Sequence, residues 1–372
     1  MHRKTMLAAM GCCLLLIAAF AYAEETEPTI RLTEQRYESS YVQIPAIVGL
    51  ADPQVQAQIN QDMSQALALD QALVKLGQLR AGGTNEQTLT VDCDGSIYGN
   101  LLTLTVTMRG VLPDNRTGEQ VFGLNYRLDT GARLTLSDVF LDEDAAVAAM
   151  EAIALRDVEE NGNSYSELNQ ITPMPRDRFA LKPWGIVVHY PDTQLAYFSG
   201  RAGGYAFFWY ELEGQWQDSL QSELSAFAQT EPNGLPGLPC ALGEDVADVI
   251  LRCGLLEDPD YTLDHSVYAF ESADMRGVSL LTDRNAPEGS GAVVEIRAQR
   301  MDYQGLKTGL ATQTDCESLL GTPGRTETID GNAAYDQLLP EGEMLWYPDG
   351  ANEAGFLFSE GVLRAVILRA NP

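Results

Sequence analysis

Leu101-Leu102-Thr103-Leu104-Thr105-Val106-Thr107-Met108-Arg109 alternates apolar and hydroxyl side chains residue by residue. Successive side chains of an extended chain point to opposite faces. The stretch therefore reads as a half-buried strand, with Leu102, Leu104, Val106 and Met108 inward and the threonines outward. Strand patterns flank it at Gln87–Cys93 and Gln120–Leu128, and Asp129-Thr130-Gly131 reads as a turn into a further short strand at Arg133–Leu136. Upstream, Asp52-Pro53 supplies an N-cap acceptor followed by proline at the first helical position, where no N–H is needed. Val55, Ile59, Met63, Leu67, Leu73 and Leu76 then recur at near-helical spacing, which predicts one long helix ending at Gly82-Gly83. A second helix is expected from Asp142 to Asn161-Gly162, then strands at Trp184–Tyr190 and Tyr205–Leu212. The latter is apolar on both faces and is expected to be central. Helix, strands, helix, strands gives an α+β fold with one sheet against helices.

Ala228 to Pro239 is dense in turn-formers, and residues 228–238 read as a linker. Beyond it one unit occurs twice. Leu242-Gly243 leads a helix to Cys253-Gly254, followed by strands at Ser266–Phe270, Gly277–Thr282 and Ala292–Ala298. Thr308-Gly309 leads a second helix to Leu320-Gly321-Thr322-Pro323, followed by strands at Glu343–Tyr347, Gly355–Ser359 and Leu363–Leu368. The period is about 66 residues, and neither copy can cover its own sheet, so the two are expected to share a continuous one. The domain plan is a leader at 1–23, an α+β domain at 24–227, the linker, and a two-repeat domain at 239–372.

The leader is basic over Met1–Lys4, apolar over Met6–Phe20, and small-x-small at Ala21-Tyr22-Ala23, which is the order of a secretory signal. The alternative is a retained anchor. Export makes the cysteines potential disulfide partners. Cys12 and Cys13 leave with the leader. Cys240 and Cys253 flank one expected helix and form the candidate bridge; free buried thiols are the alternative, favoured for Cys316. The net charge is −29 and becomes −31 once Arg3 and Lys4 are removed. Such a polyanion is repelled by phosphate backbones and anionic membranes, so neither nucleic acid nor membrane insertion beyond the leader is expected.

Asp129-Thr130-Gly131, Leu134-Thr135-Leu136 and Ser137-Asp138-Val139-Phe140 together resemble the D-x-T-G-x-x-L-x-L-x-D-L-F stretch of a bacterial exported module. That module is found in RsiV anti-sigma factors and PdaC-type peptidoglycan deacetylases. Tyr41–Leu69 is similar to its opening strand and helix, and Arg178–Leu181 through Trp184–Tyr190 to its closing part, so the resemblance covers roughly residues 30–225. It implies a PdaC/RsiV-like helix-on-sheet domain in a Gram-positive cell envelope. The family's Gly-Gly-Ala-His segment is replaced here by Met108-Arg109-Gly110-Val111-Leu112-Pro113. A sigma-binding domain has no room before the apolar run. With only His189 and His265 after the leader, the deacetylase's metal set is missing as well. The C-terminal copies are similar to YjgB-type and beta-lactamase-inhibitor-like units, through Leu320-Gly321-Thr322-Pro323. The first copy departs from that pattern.

His189 reads as a structural imidazole and His265 as an exposed turn residue; no nucleophile pairs with either by spacing. Asp92-Cys93-Asp94-Gly95 lacks the closing acid of a calcium loop and is expected to be a turn. Gly200-Arg201-Ala202-Gly203-Gly204 can cradle an anion, or simply turn the chain. Tyr197, Tyr205 and Trp209, with Arg201, are the candidate binding residues, since flat rings stack on sugars or anchor protein partners; core packing is the alternative. No cofactor and no metal are expected. The sequence thus points to an exported, non-enzymatic envelope protein recognising a cationic protein, such as a lysozyme-like hydrolase, or wall glycan. The alternative is a peptidoglycan hydrolase working through paired carboxylates.

Overall fold

The computed structural model describes residues 27–82, 87–160, 173–190, 204–228, 231–256, 258–270 and 272–370. The chain is α+β and forms two compact units, one comprising the described residues up to Leu134 and one those from Thr135 onward.

The first unit is a five-stranded sheet in sequential order: β1 (Thr29–Tyr37), β2 (Ser40–Val48), β3 (Leu89–Tyr98), β4 (Leu101–Val111) and β5 (Thr117–Arg127). All neighbours are antiparallel except β2 and β3, which run parallel because two helices connect them. Leu102, Leu104, Val106 and Met108 are buried as their alternation requires, under Ile59, Met63, Leu76 and Leu79. The expected long helix is two: α1 (Pro53–Ala66) and α2 (Leu69–Gly82). Asp52 caps α1 through the Gln54 N–H at 2.8 Å. Ala68 sits at φ 48°, a left-handed conformation that no helix interior tolerates. Asp92–Gly95 is not a turn; it continues β3, and the chain reverses at Gly99-Asn100. Strand β1 was not anticipated.

Of Arg133–Leu136 only Arg133 pairs, as an isolated antiparallel bridge to Tyr126, and in the second unit Leu136 opens a short helix, α3 (Leu136–Val139), ahead of α4 (Glu143–Glu160). Then come β6 (Phe179–Lys182), β7 (Gly185–His189) and β8 (Gly204–Phe208), which form their own three-stranded sheet with β7 in the middle. Strand β8 is therefore an edge rather than central. It ends at Phe208, and Trp209–Leu212 coils into a 3-10 turn before α5 (Asp218–Ser225). The single N-terminal sheet expected from the sequence is thus two sheets in different units.

The repeats do share one sheet. After α6 (Val246–Cys253), the strands β9 (Asp260–Tyr261), β10 (His265–Ala269), β11 (Val278–Asp283) and β12 (Glu295–Ala298) form its first half. A small hairpin, β13 (Asp302–Tyr303) and β14 (Leu306–Lys307), leads to α7 (Gln313–Leu320). Strand β15 (Arg325–Ile329), α8 (Gly331–Gln337), β16 (Gly342–Asp349), β17 (Asn352–Ser359) and β18 (Val362–Ala370) follow. The order β15-β16-β17-β18-β12-β11-β10-β9 joins the last strand of each copy, antiparallel, at Glu295↔Arg369 and Ala298↔Val366. The copies also match before their helices. The Gly243 N–H donates to the Val293 carbonyl, the Gly309 N–H to the Leu363 carbonyl, and in each case the acceptor residue's own N–H donates back to the same stretch.

The segment expected to be a linker is packed: Leu235 and Leu238 are buried in the second unit's core with Cys240. Its two leucines are enough to seat it. Cys93, Cys240, Cys253 and Cys316 are all free and buried, so the candidate Cys240–Cys253 bridge is not formed, although Cys253 lies close enough to add to the upward shift of Cys240. Burial pushes Cys93 and Cys240 up to about 12 and Cys316 up to about 11, so little thiolate exists at neutral pH. A thiol titration of residues 24–372 with Ellman's reagent is expected to detect none in the native protein and four after denaturation. Two missing thiols would mean that Cys240 and Cys253 have bonded.

Candidate functional site

Strand β8 carries the densest aromatic stretch. Its residues meet the β11–β12 end of the large sheet through arginines. Arg300 Nη2 donates to both oxygens of Glu211, at 2.6 and 2.7 Å, and to the Ala206 carbonyl at 2.8 Å. Both side chains of this pair are nearly buried. Arg276 places its guanidinium 3.8 Å from the Tyr205 ring centroid, so the ring face is already occupied by a cation. Trp184 Nε1 donates to Asp274 Oδ1 at 2.7 Å, and Lys182 pairs with the same carboxylate at 3.3 Å.

Trp209 is pinned rather than displayed. Its Nε1 donates to the Pro183 carbonyl at 2.6 Å, and its ring meets Trp216 edge-on at 4.3 Å. Tyr205 is buried. Tyr210 shares a hydrogen bond with Thr308, and its hydroxyl pKa is raised by burial. Of the four candidate binding residues, Tyr205 and Trp209 therefore belong to a packed seam, while Tyr197 and Arg201 lie outside the described residues. The seam could not be read from sequence, because its arginines come from turns flanking β11 and β12, about 70–90 positions away.

His189 ends β7 in full burial, and its Nε2 has no hydrogen-bond partner among the described residues. Burial, with Lys182 and Arg178 adding repulsion, holds its pKa down to about 3. The ring is thus neutral over the ordinary pH range. His265 is half-buried on β10, where it lines an open concavity of about 310 Å³ with Leu263, Asp264, Asp283 and Arg284. A second concavity, of about 270 Å³, lies over Trp346, whose ring is faced by Arg369 at 3.8 Å and Arg325 at 4.8 Å. Glu353 pairs with both arginines, and Trp346 Nε1 donates to Glu327 at 3.2 Å. Sequence reading missed this stack, since only strand register brings β15, β16, β17 and β18 into it. Among the described residues no group of three or more His, Cys, Asp or Glu side chains converges to hold a metal ion. No helix among them is long and apolar enough to cross a membrane.

Many of the cations are paired within the chain, two of them, Arg297 and Arg300, out of solvent and others half exposed. Arg109 pairs with Asp92 and Glu119, Arg176 with Glu143 and Asp144, Arg252 with Glu244, and Arg297 with Glu295. The acidic surplus is left facing solvent.

No family model matches the sequence, and no curated protein matches it. Among solved structures, the chain is similar to a DUF3298 family member from Bacteroides fragilis, at 11% identity and a TM-score of 0.41, over 54% of this chain and 97% of that one. It is also similar to a DUF3298 family protein from Pseudomonas aeruginosa, at 14% identity and a TM-score of 0.39, over 52% and 95%. A third likeness is to the DUF4309 family protein YjgB from Bacillus subtilis, at 17% identity and a TM-score of 0.25, over 36% and 81%.

Proposed function

We propose that this is an exported, non-catalytic binding protein of the bacterial cell envelope, with a PdaC/RsiV-like module, that captures a cationic protein such as a lysozyme-like hydrolase. The observation that carries the reading is the charge. The chain holds 53 acidic and 24 basic residues, and many of the basic residues are already paired with neighbouring acids, which leaves the acidic surplus unbalanced. A surface of one sign raises the local concentration of oppositely charged partners and speeds their encounter. The aromatic stretch expected to stack on sugar is taken up in packing at Tyr205 and Trp209, which favours the protein partner over wall glycan.

A pull-down of residues 24–372 against lysozyme and against purified peptidoglycan, at low and at high salt, tests this. Lysozyme capture that fades with salt is the expected result. Capture of neither, or release of soluble fragments from the peptidoglycan, would overturn the reading.

A further inference from the structure

Strand β9 ends the large sheet. It pairs with β10 on one side only, at Asp260↔Val267 and Tyr261↔Ser266. An edge of this kind presents backbone N–H and C=O groups ready to accept another strand. Two large apolar side chains lie exposed there, Tyr261 at 50% and Leu263 at 70%. Asp258, Asp260 and Asp264 are exposed between and beside them, Asp283 lies opposite His265 at the end of β11, and Glu288 approaches from the turn that follows it. The adjacent cation, Arg284, donates to the Thr262 carbonyl at 2.6 Å and the Leu263 carbonyl at 3.2 Å, so it serves to hold the turn. Beside the edge, the concavity lined by Leu263, Asp264, His265, Asp283 and Arg284 is large enough to receive one long side chain.

We infer that the β9 edge is the docking site for the partner, which adds a basic, extended segment as a further strand, with lysine or arginine side chains over Asp258, Asp260 and Asp264. Charge selects this occupant. A second copy of this chain would bring the same acids to the same edge and be repelled. A cationic strand neutralises them while its apolar residues cover Tyr261 and Leu263. This inference rests on the proposed function and locates the site for it.

The test uses residues 24–372 and a fluorescent peptide, acetyl-(Lys-Val)3-Lys-amide, followed by polarisation at about 50 mM salt. Wild type is expected to bind it saturably. The triple variant Asp258→Asn/Asp260→Asn/Asp264→Asn is expected to bind about tenfold more weakly or worse. A control triple of other exposed acids, Glu231→Gln/Glu317→Gln/Glu360→Gln, is expected to change affinity by less than about threefold. Equal weakening by both triples would show diffuse attraction and overturn the site, as would absence of peptide binding to wild type. Lysozyme capture by wild type reports separately on the proposed function. Peptide binding without lysozyme capture would leave the site standing and remove the partner class.

Discussion

Glu211→Ala is expected to destabilise the protein by about 3 kcal/mol, seen as a lowered urea midpoint. The Arg300 guanidinium has surrendered most of its hydration in this seam, and Glu211 compensates it with three short hydrogen bonds, at 2.6, 2.7 and 3.0 Å. Glu211 Oε2 also accepts the Phe208 N–H at 2.9 Å, which fixes the end of β8 where the chain turns into its 3-10 coil. Removing the carboxylate leaves a positive charge in an aromatic pocket between Tyr205 and Phe208, and that is the costly part. The double variant Glu211→Leu/Arg300→Met removes both charges and is expected to recover most of the loss. A loss below about 1 kcal/mol for Glu211→Ala would mean that water reaches the pair and that the seam contributes little.

Acid is expected to destabilise the chain through His189. The folded-state pKa is held at about 3 by burial, whereas an unfolded histidine titrates near its ordinary value of 6.5. Below that value the unfolded state binds a proton that the folded state refuses. Stability is therefore intact above the unfolded pKa and falls as the pH drops toward the folded one. Between pH 7 and pH 4 this group alone removes about 3 kcal/mol, at about 1.4 kcal/mol per unit below 6.5. His189→Phe fills the same site without a titrating atom and without the unpartnered Nε2. Its stability is expected to decline less steeply than wild type over that interval, by about one proton's worth of slope. Parallel pH profiles for the two proteins would show that His189 is solvated.

The strands that follow a strict alternation were legible in advance. Strand β4 was, because Leu102, Leu104, Val106 and Met108 all face one core, and so was the shared sheet of the repeats, because each copy leaves a face uncovered. What failed did so where the local pattern was overridden or carried no sign. Ala68 breaks the long helix by backbone geometry that composition does not encode. Tyr205–Leu212 reads as one apolar strand, yet the Glu211 side chain caps the Phe208 N–H and coils the second half. Leu235 and Leu238 look sparse in a Pro/Gly-rich stretch, but two buried leucines suffice to anchor it. Strand β1 is exposed along most of its length and carries little alternation to betray it. Of the candidate site, the aromatic residues were found but their use was not, because Arg276 and Arg300 reach them from another part of the chain. The β9 edge was invisible for a related reason. Its acids look like ordinary solvated residues until strand order places them at the end of the sheet.

The most direct measurement is a calorimetric titration of residues 24–372 with lysozyme at about 50 mM and about 500 mM salt. The account predicts saturable binding at the lower salt and an affinity at least about tenfold weaker at the higher, because a chain with so large an acidic surplus attracts through charge. Binding that is absent at both, or that is unchanged by salt, would contradict it.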